Sequence, residues 1–236
     1  MTKLNYLQDT YLFESETIFI ETREHEKSMA VILDATIFYP QGGGQPADQG
    51  EIISGDTIFV VHDVRIDEDG IIWHFGEYKS GKFTKGDSVI LKIDKDLRIL
   101  NARLHSAGHL LDCAVSNMHI ENLNPTKGFH FSDGPYVEYD GTIENSAEIL
   151  PILQKNIDDL LAQNLKVEKK DLSFEEAQKQ QIHAPVGKAV RVINFDGFPI
   201  CGCGGTHVNS TSEIGTITIR KIKTKQGKTK ISYSVV

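Results

Sequence analysis

The chain has 236 residues, 39% of them apolar and 25% charged, with a formal net charge of −8. That length suits two small domains with real cores, and the acidic balance disfavours a general nucleic-acid binder, which is usually basic. No run of 18 apolar residues is present to span a membrane, and the acid-bearing start MTKLNYLQDTYLFESE reads neither as a secretory signal nor as a transit peptide. From about residue 15 the chain reads as short strands: Thr17 to Glu21, Met29 to Leu33, Thr57 to Val64, Ile71 to Phe75 and Val89 to Ile93. Turn signals fall between them at Ser54-Gly55-Asp56, Asp69-Gly70, Ser80-Gly81 and Lys85-Gly86-Asp87. Many short strands so punctuated predict a small β-barrel or a sandwich. No helix is expected in this stretch.

The pattern changes near residue 95. Leu100, Leu104, Ala107, Leu111, Ala114 and Met118 follow one another at alternating spacings of four and three, which predicts a helix over about 96–118. A second helix is expected from about Asn145 to Leu165, with Pro151 near its first turn, and a third after Ser173, with Glu175 and Glu176 in its first turn. Strands are expected at Phe129 to Phe131, Tyr136 to Tyr139, Lys166 to Lys170 and Val190 to Phe195, with Asn124 to Gly128 as a loop. A last hairpin, 215–223 with 229–235, turns at Gln226-Gly227. The fold class is therefore α+β, a strand-rich domain over 1–95 followed by a mixed domain over 96–236. The second domain ends in a basic tail. From Ile214 on there are six Lys/Arg and no Asp/Glu, so the net charge balances a +6 tail against a −14 remainder. Such a face can meet a phosphate backbone on an otherwise acidic protein, although lysines also simply protect sheet edges.

Three cysteines, an odd and small number, argue against a disulfide framework. Cys201 and Cys203 stand one residue apart beside glycines and a histidine, which points to a reduced, cytoplasmic setting and a metal site. The first expected helix carries His105-Ser106-Ala107-Gly108-His109. Histidines at i and i+4 share a helix face and can reach one ion. The three small residues between them leave room for something to approach. About a hundred residues later, Cys203 and His207 are again four apart, in a glycine-rich segment. Either pair alone matches by accident often. Together they favour zinc over magnesium or calcium. A structural ion that only pins the fold would use four ligands, and four are available; a catalytic ion keeps one position open. The chain lacks the His-Glu-x-x-His of metalloproteases and the His-x-Glu with Pro-Cys-x-x-Cys of nucleobase deaminases. Cys201 is an alternative ligand at longer spacing, and Cys113 reads as a buried helix residue. His25, His62, His74, His119, His130 and His183 show no matching partner.

At these residues the chain resembles a known family. The segments Arg103 to Leu111 and Cys203 to Val208, followed by Glu213-Ile214-Gly215, are similar to the zinc motifs of the editing domain of alanyl-tRNA synthetases and of the related free-standing AlaX proteins. The threonyl-tRNA synthetase editing domain has a similar metal motif. A further stretch, Phe38 to Gly50 with its run Gly42-Gly43-Gly44-Gln45-Pro46-Ala47-Asp48, resembles the glycine-rich motif of the alanyl branch. The matches reach from about residue 36 to 222.

The resemblance implies an N-terminal β-barrel and a C-terminal α+β zinc-containing editing domain. It implies hydrolysis in trans of Ser-tRNA(Ala), with Gly-tRNA(Ala) as a second candidate. One zinc ion would be held by His105, His109 and Cys203, with His207 as fourth ligand or as a proton carrier. Thr126, seventeen residues after His109, resembles the family's hydroxyl-sensing position. Gly43 and Gly44 would bring the glycine-rich loop close to the acceptor end, with Gln45 and Asp48 as its polar groups. Arg220 and Lys223 in the basic tail would meet tRNA. Neither a membrane nor an obligate protein partner is implied. Two rival readings stand beside this one: a zinc hydrolase of small esters or amides, and a tRNA-binding zinc module without catalysis.

Overall fold

The computed structural model describes residues 1–25, 28–120, 122–182 and 189–236. His183, which carries no expected role, lies outside them. The chain forms two compact units, Met1–Asn101 and Ala102–Val236. The strands of the first are β1 (Lys3–Leu4), β2 (Glu14–His25), β3 (Ser28–Leu33), β4 (Ala35–Thr36), β5 (Gly50–Ser54), β6 (Thr57–Ile66), β7 (Ile72–Ser80) and β8 (Ser88–Ile93). Helix α1 (Lys95–Ser116) follows, and the division between the units falls inside it.

The first unit is a closed barrel in the order β2-β3-β7-β6-β5-β8. Period-two patterning builds it. In β8, Val89, Leu91 and Ile93 point inward and alternate with exposed neighbours. Strand β2 closes the ring by changing partner along its length: Glu14–Ile18 pairs with β8, and Phe19–His25 with β3. A bulge between Phe19 and Glu21 accompanies the change, the usual device at a barrel corner. At Gly76 of β7 a Cβ would lie 1.8 Å from the Val60 carbonyl, so only glycine allows the strands to approach there. Phe19, Leu33, Ile52, Phe59, Val64, Ile72 and Leu91 form the core. Of the two architectures left open, the structure has the barrel. Strand β5 was not among the expected strands; Gly50 and Ser54 at its ends leave only Ile52 and Ile53 as strong strand formers.

A buried ion pair braces this unit. Arg98 and Asp48 are both fully buried. Arg98 Nε donates to Asp48 Oδ1 (3.0 Å) and Oδ2 (3.1 Å), and Nη2 also reaches Oδ2. The remaining guanidinium donors reach the carbonyls of Thr10 (2.9 Å) and Ile37 (2.5 Å). The Tyr39 amide donates to Asp48 Oδ2 at 2.6 Å. Both charges are thus desolvated and fully partnered, the condition under which a buried pair is tolerated.

The second unit holds the rest of α1, then β9 (Asn124–Phe129), β10 (Tyr136–Asp140), α2 (Ser146–Ala162), β11 (Val167–Leu172), α3 (Phe174–Lys179), β12 (Val190–Phe195), β13 (Cys201–Gly202), β14 (Ile217–Lys225) and β15 (Lys228–Val235). One antiparallel sheet runs β14-β15-β10-β9 and a smaller one β11-β12-β13. Leu153, Ile157 and Leu160 give α2 its buried face, and Gln154 ties the helix to β14 through the Ile217 carbonyl and the Ile219 amide. Ser173 and Glu176 form a complete capping box on α3. The β14–β15 turn has Gln226 (φ 54°) and Gly227 (φ 77°) both left-handed, as a two-residue hairpin turn requires.

Two expectations need correction. The strand expected at Phe129 to Phe131 lies earlier: β9 takes in the expected loop, Asn124 to Gly128, and ends at Phe129, leaving His130 and Phe131 outside it. Pro125 is accepted because β9 is the sheet's edge, where a missing N–H costs no ladder bond. Helix α2 runs Ser146–Ala162, ending short of the expected Leu165, and Pro151, expected near its first turn, sits in the second. There it forfeits one intrahelical hydrogen bond. Among the described residues no helix is long and apolar enough to cross a membrane.

Candidate metal centre

Helix α1 presents His105 and His109 on one face, rings 5.1 Å apart and nearly parallel. The segment after β13 brings Cys203 and His207 to them. One donor atom from each of the four lies within 4.8 Å of all the others. Cys203 Sγ is 3.2 Å from His207 Nε2 and 3.5 Å from His105 Nε2. A tetrahedral ion with ordinary bond lengths sets its ligand atoms about 3.3–3.7 Å apart, so the donor set fits a metal ion.

The supports come from both chain segments. Ser106 Oγ accepts the Val208 amide (3.2 Å) and meets His207 Nδ1 (3.2 Å), so the helix fixes the ring that the loop supplies. Orienting contacts of this kind are typical around metal-binding imidazoles. Arg191 of β12 donates through Nη1 to the carbonyls of Cys203 (2.7 Å) and Gly205 (2.9 Å), and the Cys203 amide donates back to Arg191 (2.9 Å). The glycine-rich turn is therefore clamped by a planar cation.

Electrostatics agree with the geometry. His105 and His207 are buried, and desolvation holds both far below the usual imidazole range, helped at His105 by the charges of His207, His130 and His109 and at His207 by those of His109 and Arg191. Burial lowers His109 to about 4. The Cys203 thiol is pushed up by burial, against a hydrogen bond from the Gly205 amide and the charge of Arg191. Three neutral imidazoles with lone pairs and one buried thiol are a poor cluster by themselves and a good one around a cation.

His130 is the residue that sequence reasoning missed. Its ring stacks on His105 with centroids 4.5 Å apart. Its Nδ1 lies 2.7 Å from Tyr233 Oη, and Tyr233 donates its only proton to the Leu104 carbonyl (2.8 Å). The phenol must then accept, so His130 carries its hydrogen on Nδ1. Burial lowers His130 to about 3, so the ring is neutral. The space left by the small residues of α1 is taken by this ring. A Cβ on Gly108 would meet His130 Cε1 at 2.3 Å, and one on Gly128 would meet its Nε2 at 2.3 Å. No i,i+4 partner marks His130; the paired glycines are its only sequence trace.

Gly108 offers a test of sign. In an open helix interior Gly→Ala gains about 1 kcal/mol. Here Gly108→Ala is expected to lose about 1–3 kcal/mol through overpacking against His130, read by urea unfolding followed by circular dichroism. A gain would mean that the ring is not confined.

Cys201 Sγ lies 3.4 Å from His109 Nδ1, outside the group of four. With His109, Asp112, Cys113 and Tyr139 it borders a cavity of about 390 Å³. Cys113 is half-buried there, not fully buried as expected. Thr126 is exposed on β9, donates to the Glu138 carbonyl (3.1 Å), and is not among the cavity's lining residues, unlike Asn124 and Pro125. Gly43 (φ 52°) and Gly44 (φ 77°) form the left-handed pair of a tight turn closed by Gly42 and Gln45, which accounts for both glycines. Gln45 is buried. Asp48 is not an available substrate contact; Arg98 and the Tyr39 amide occupy it. Arg220 and Lys223 are exposed on β14.

Comparison with known proteins gives this arrangement a context. Residues 190–230, which supply Cys203 and His207, match the family described as threonyl and alanyl tRNA synthetase second additional domain. Residues 3–97, within the barrel unit, match tRNA synthetases class II (A). The alanyl-tRNA editing protein AlaX-L of Pyrococcus horikoshii is 30% identical over 230 residues, 95% of this chain and 55% of that protein. Along nearly its whole length this chain is similar to an alanyl-tRNA editing protein. It is also 32% identical over 196 residues to an alanine–tRNA ligase of Neisseria meningitidis and 28% over 204 residues to that of Clostridioides difficile. The chain spans about half the length of the editing relative and covers 22% and 23% of the two ligases.

Proposed function

We propose that this protein is an aminoacyl-tRNA deacylase that removes serine, and secondarily glycine, from mischarged alanine tRNA, using one zinc ion. The observation that carries the proposal is the convergence of His105, His109, Cys203 and His207 in a relative of alanyl-tRNA editing proteins. Nitrogen and sulfur donors together favour zinc among common divalent ions. Bound there, zinc supplies Lewis-acid chemistry to an ester and its attacking water.

The chain's own residues would do the rest. His105, His109, Cys203 and His207 hold the ion, and Ser106 fixes the His207 ring. Arg191 keeps Cys203 in register. His207, with Nε2 on Cys203 and Nδ1 on Ser106, is better placed as a ligand than as a proton carrier. Thr126, whose hydroxyl donates to the Glu138 carbonyl, keeps lone pairs to accept a hydrogen bond from a serine hydroxyl. Arg220 and Lys223, without ion pairs among the described residues, would meet the tRNA backbone.

The test is incubation with tRNA(Ala) charged with serine, glycine or alanine, with and without a chelator. Serine is expected to be released fastest, alanine to be spared, and the chelator to stop release. Equal loss of serine and alanine, or an active metal-free protein, defeats the proposal. In the same assay Thr126→Val should shrink the serine-over-alanine ratio, because a pocket that pairs a hydroxyl discriminates up to about 10⁴-fold.

A further inference from the structure

The cavity bordered by His109 contains a carboxylate that the proposed hydrolysis leaves unused. His109, Asp112, Cys113 and Ser116 line it from one face of α1, at spacings of three and four. Val115, Leu123, Ile193, Phe195 and Phe198 make most of its remaining wall apolar. Among the described residues no lysine or arginine lines it, and Asp112 is the one carboxylate in its lining. Tyr139 donates to Asp112 Oδ1 at 2.6 Å, and among the described residues no other hydrogen bond reaches that carboxylate. One acid, held by one donor, faces a space of about 390 Å³ that no lysine or arginine among the described residues enters.

We propose that Asp112 binds the α-ammonium of the aminoacyl group in this cavity, with His109 and its metal one helical turn away on the same face. This rests on the aminoacyl-ester reading above. The substrate's amine is two bonds from the ester carbon, so an amine at Asp112 sets the ester toward the His109 end of the cavity. A residue one turn along a helix lies about 5–6 Å away, a separation such a short span can bridge. Burial pushes the Asp112 carboxyl up to about 7 despite the Tyr139 hydrogen bond, and a cationic occupant would relieve that cost. Tyr139 acts as a positioning residue that aims the carboxylate.

The test compares Ser-tRNA(Ala) with its N-acetylated form, which has no ammonium. In the wild type, acetylation should lower kcat/KM about 10- to 100-fold, the usual scale for a hydrogen bond to a charged partner. In Asp112→Asn the free-amine substrate should fall by a similar factor, so that the two substrates converge. If Asp112→Asn slows both equally, or keeps the preference for the free amine, the proposal is wrong. A second measurement needs neither tRNA nor hydrolysis: titration of L-serinamide and N-acetyl-serinamide into the wild-type metal-loaded protein, followed by NMR shifts. Shifts with serinamide alone, lost in Asp112→Asn, support the amine site even if no charged tRNA is deacylated, an outcome that would defeat only the deacylase reading. Equal response to both amides overturns the amine site even if Asp112→Asn fails to fold.

Discussion

Cys203→Ala is expected to lower metal affinity by more than 100-fold and to carry deacylation down with it. The reasoning starts from the donor set. Cys203 is the one donor of the four that becomes anionic on binding a cation. It sits within hydrogen-bonding distance of both His105 and His207, so its loss leaves two imidazoles facing a gap. Losing merely an outer partner of a metal ligand typically costs about 10- to 100-fold, and a direct ligand should cost more. His105→Ala should do the same from the helix side. The apo protein adds a signature. His105, His207 and His109 are held neutral at pH 7 by burial, while the Cys203 thiol is held protonated. Loading one ion should therefore release about one proton, and affinity should rise with pH until the free thiol itself ionises. Calorimetry in buffers of different ionisation enthalpy counts that proton. Full metal occupancy and full activity in Cys203→Ala would remove the centre from the account.

The second large effect belongs to the barrel. Arg98→Met should destabilise the first unit by about 3–5 kcal/mol, because it leaves the Asp48 carboxylate buried without its partner. Against a usual total of about 5–15 kcal/mol this is a large share. Trp73, the only tryptophan, lies in β7 and reports on this unit by fluorescence during urea unfolding. Making the pair neutral, with Asp48→Asn added to Arg98→Met, should recover more than half of the loss. A single variant within about 1 kcal/mol of wild type would show that water reaches the pair.

Much of this was readable in the sequence, and the gaps have physical causes. The barrel strands announced themselves where apolar residues alternate between turns, as in Val89 to Ile93. The metal motifs were legible because the ligands come in pairs four residues apart, which local spacing records. His130 was not, since it comes alone and meets His105 only through tertiary packing. Strand β9 read as a loop because Asn, Pro and Gly are turn residues, and only its place at a sheet edge makes them acceptable. The glycine-rich motif was visible, but not that Asp48 within it is spent on Arg98, fifty residues on. The Asp112 cavity left no trace either, because its walls come from α1, β10 and β12 together.

Strand β14 is the outer member of its sheet and carries a bulge between Ile219 and Lys221. The irregularity breaks the alternation, so Arg220 and Lys221 are both turned to solvent, with Lys223 and Lys225 beyond. An unpaired β-edge invites any passing strand to add to it, and crowded like charges on a kinked rim make a second copy unwelcome. A polyanion faces no such barrier. The same irregularity that would welcome nucleic acid thus guards against aggregation, and a variant stripped of those cations should trade solubility along with affinity.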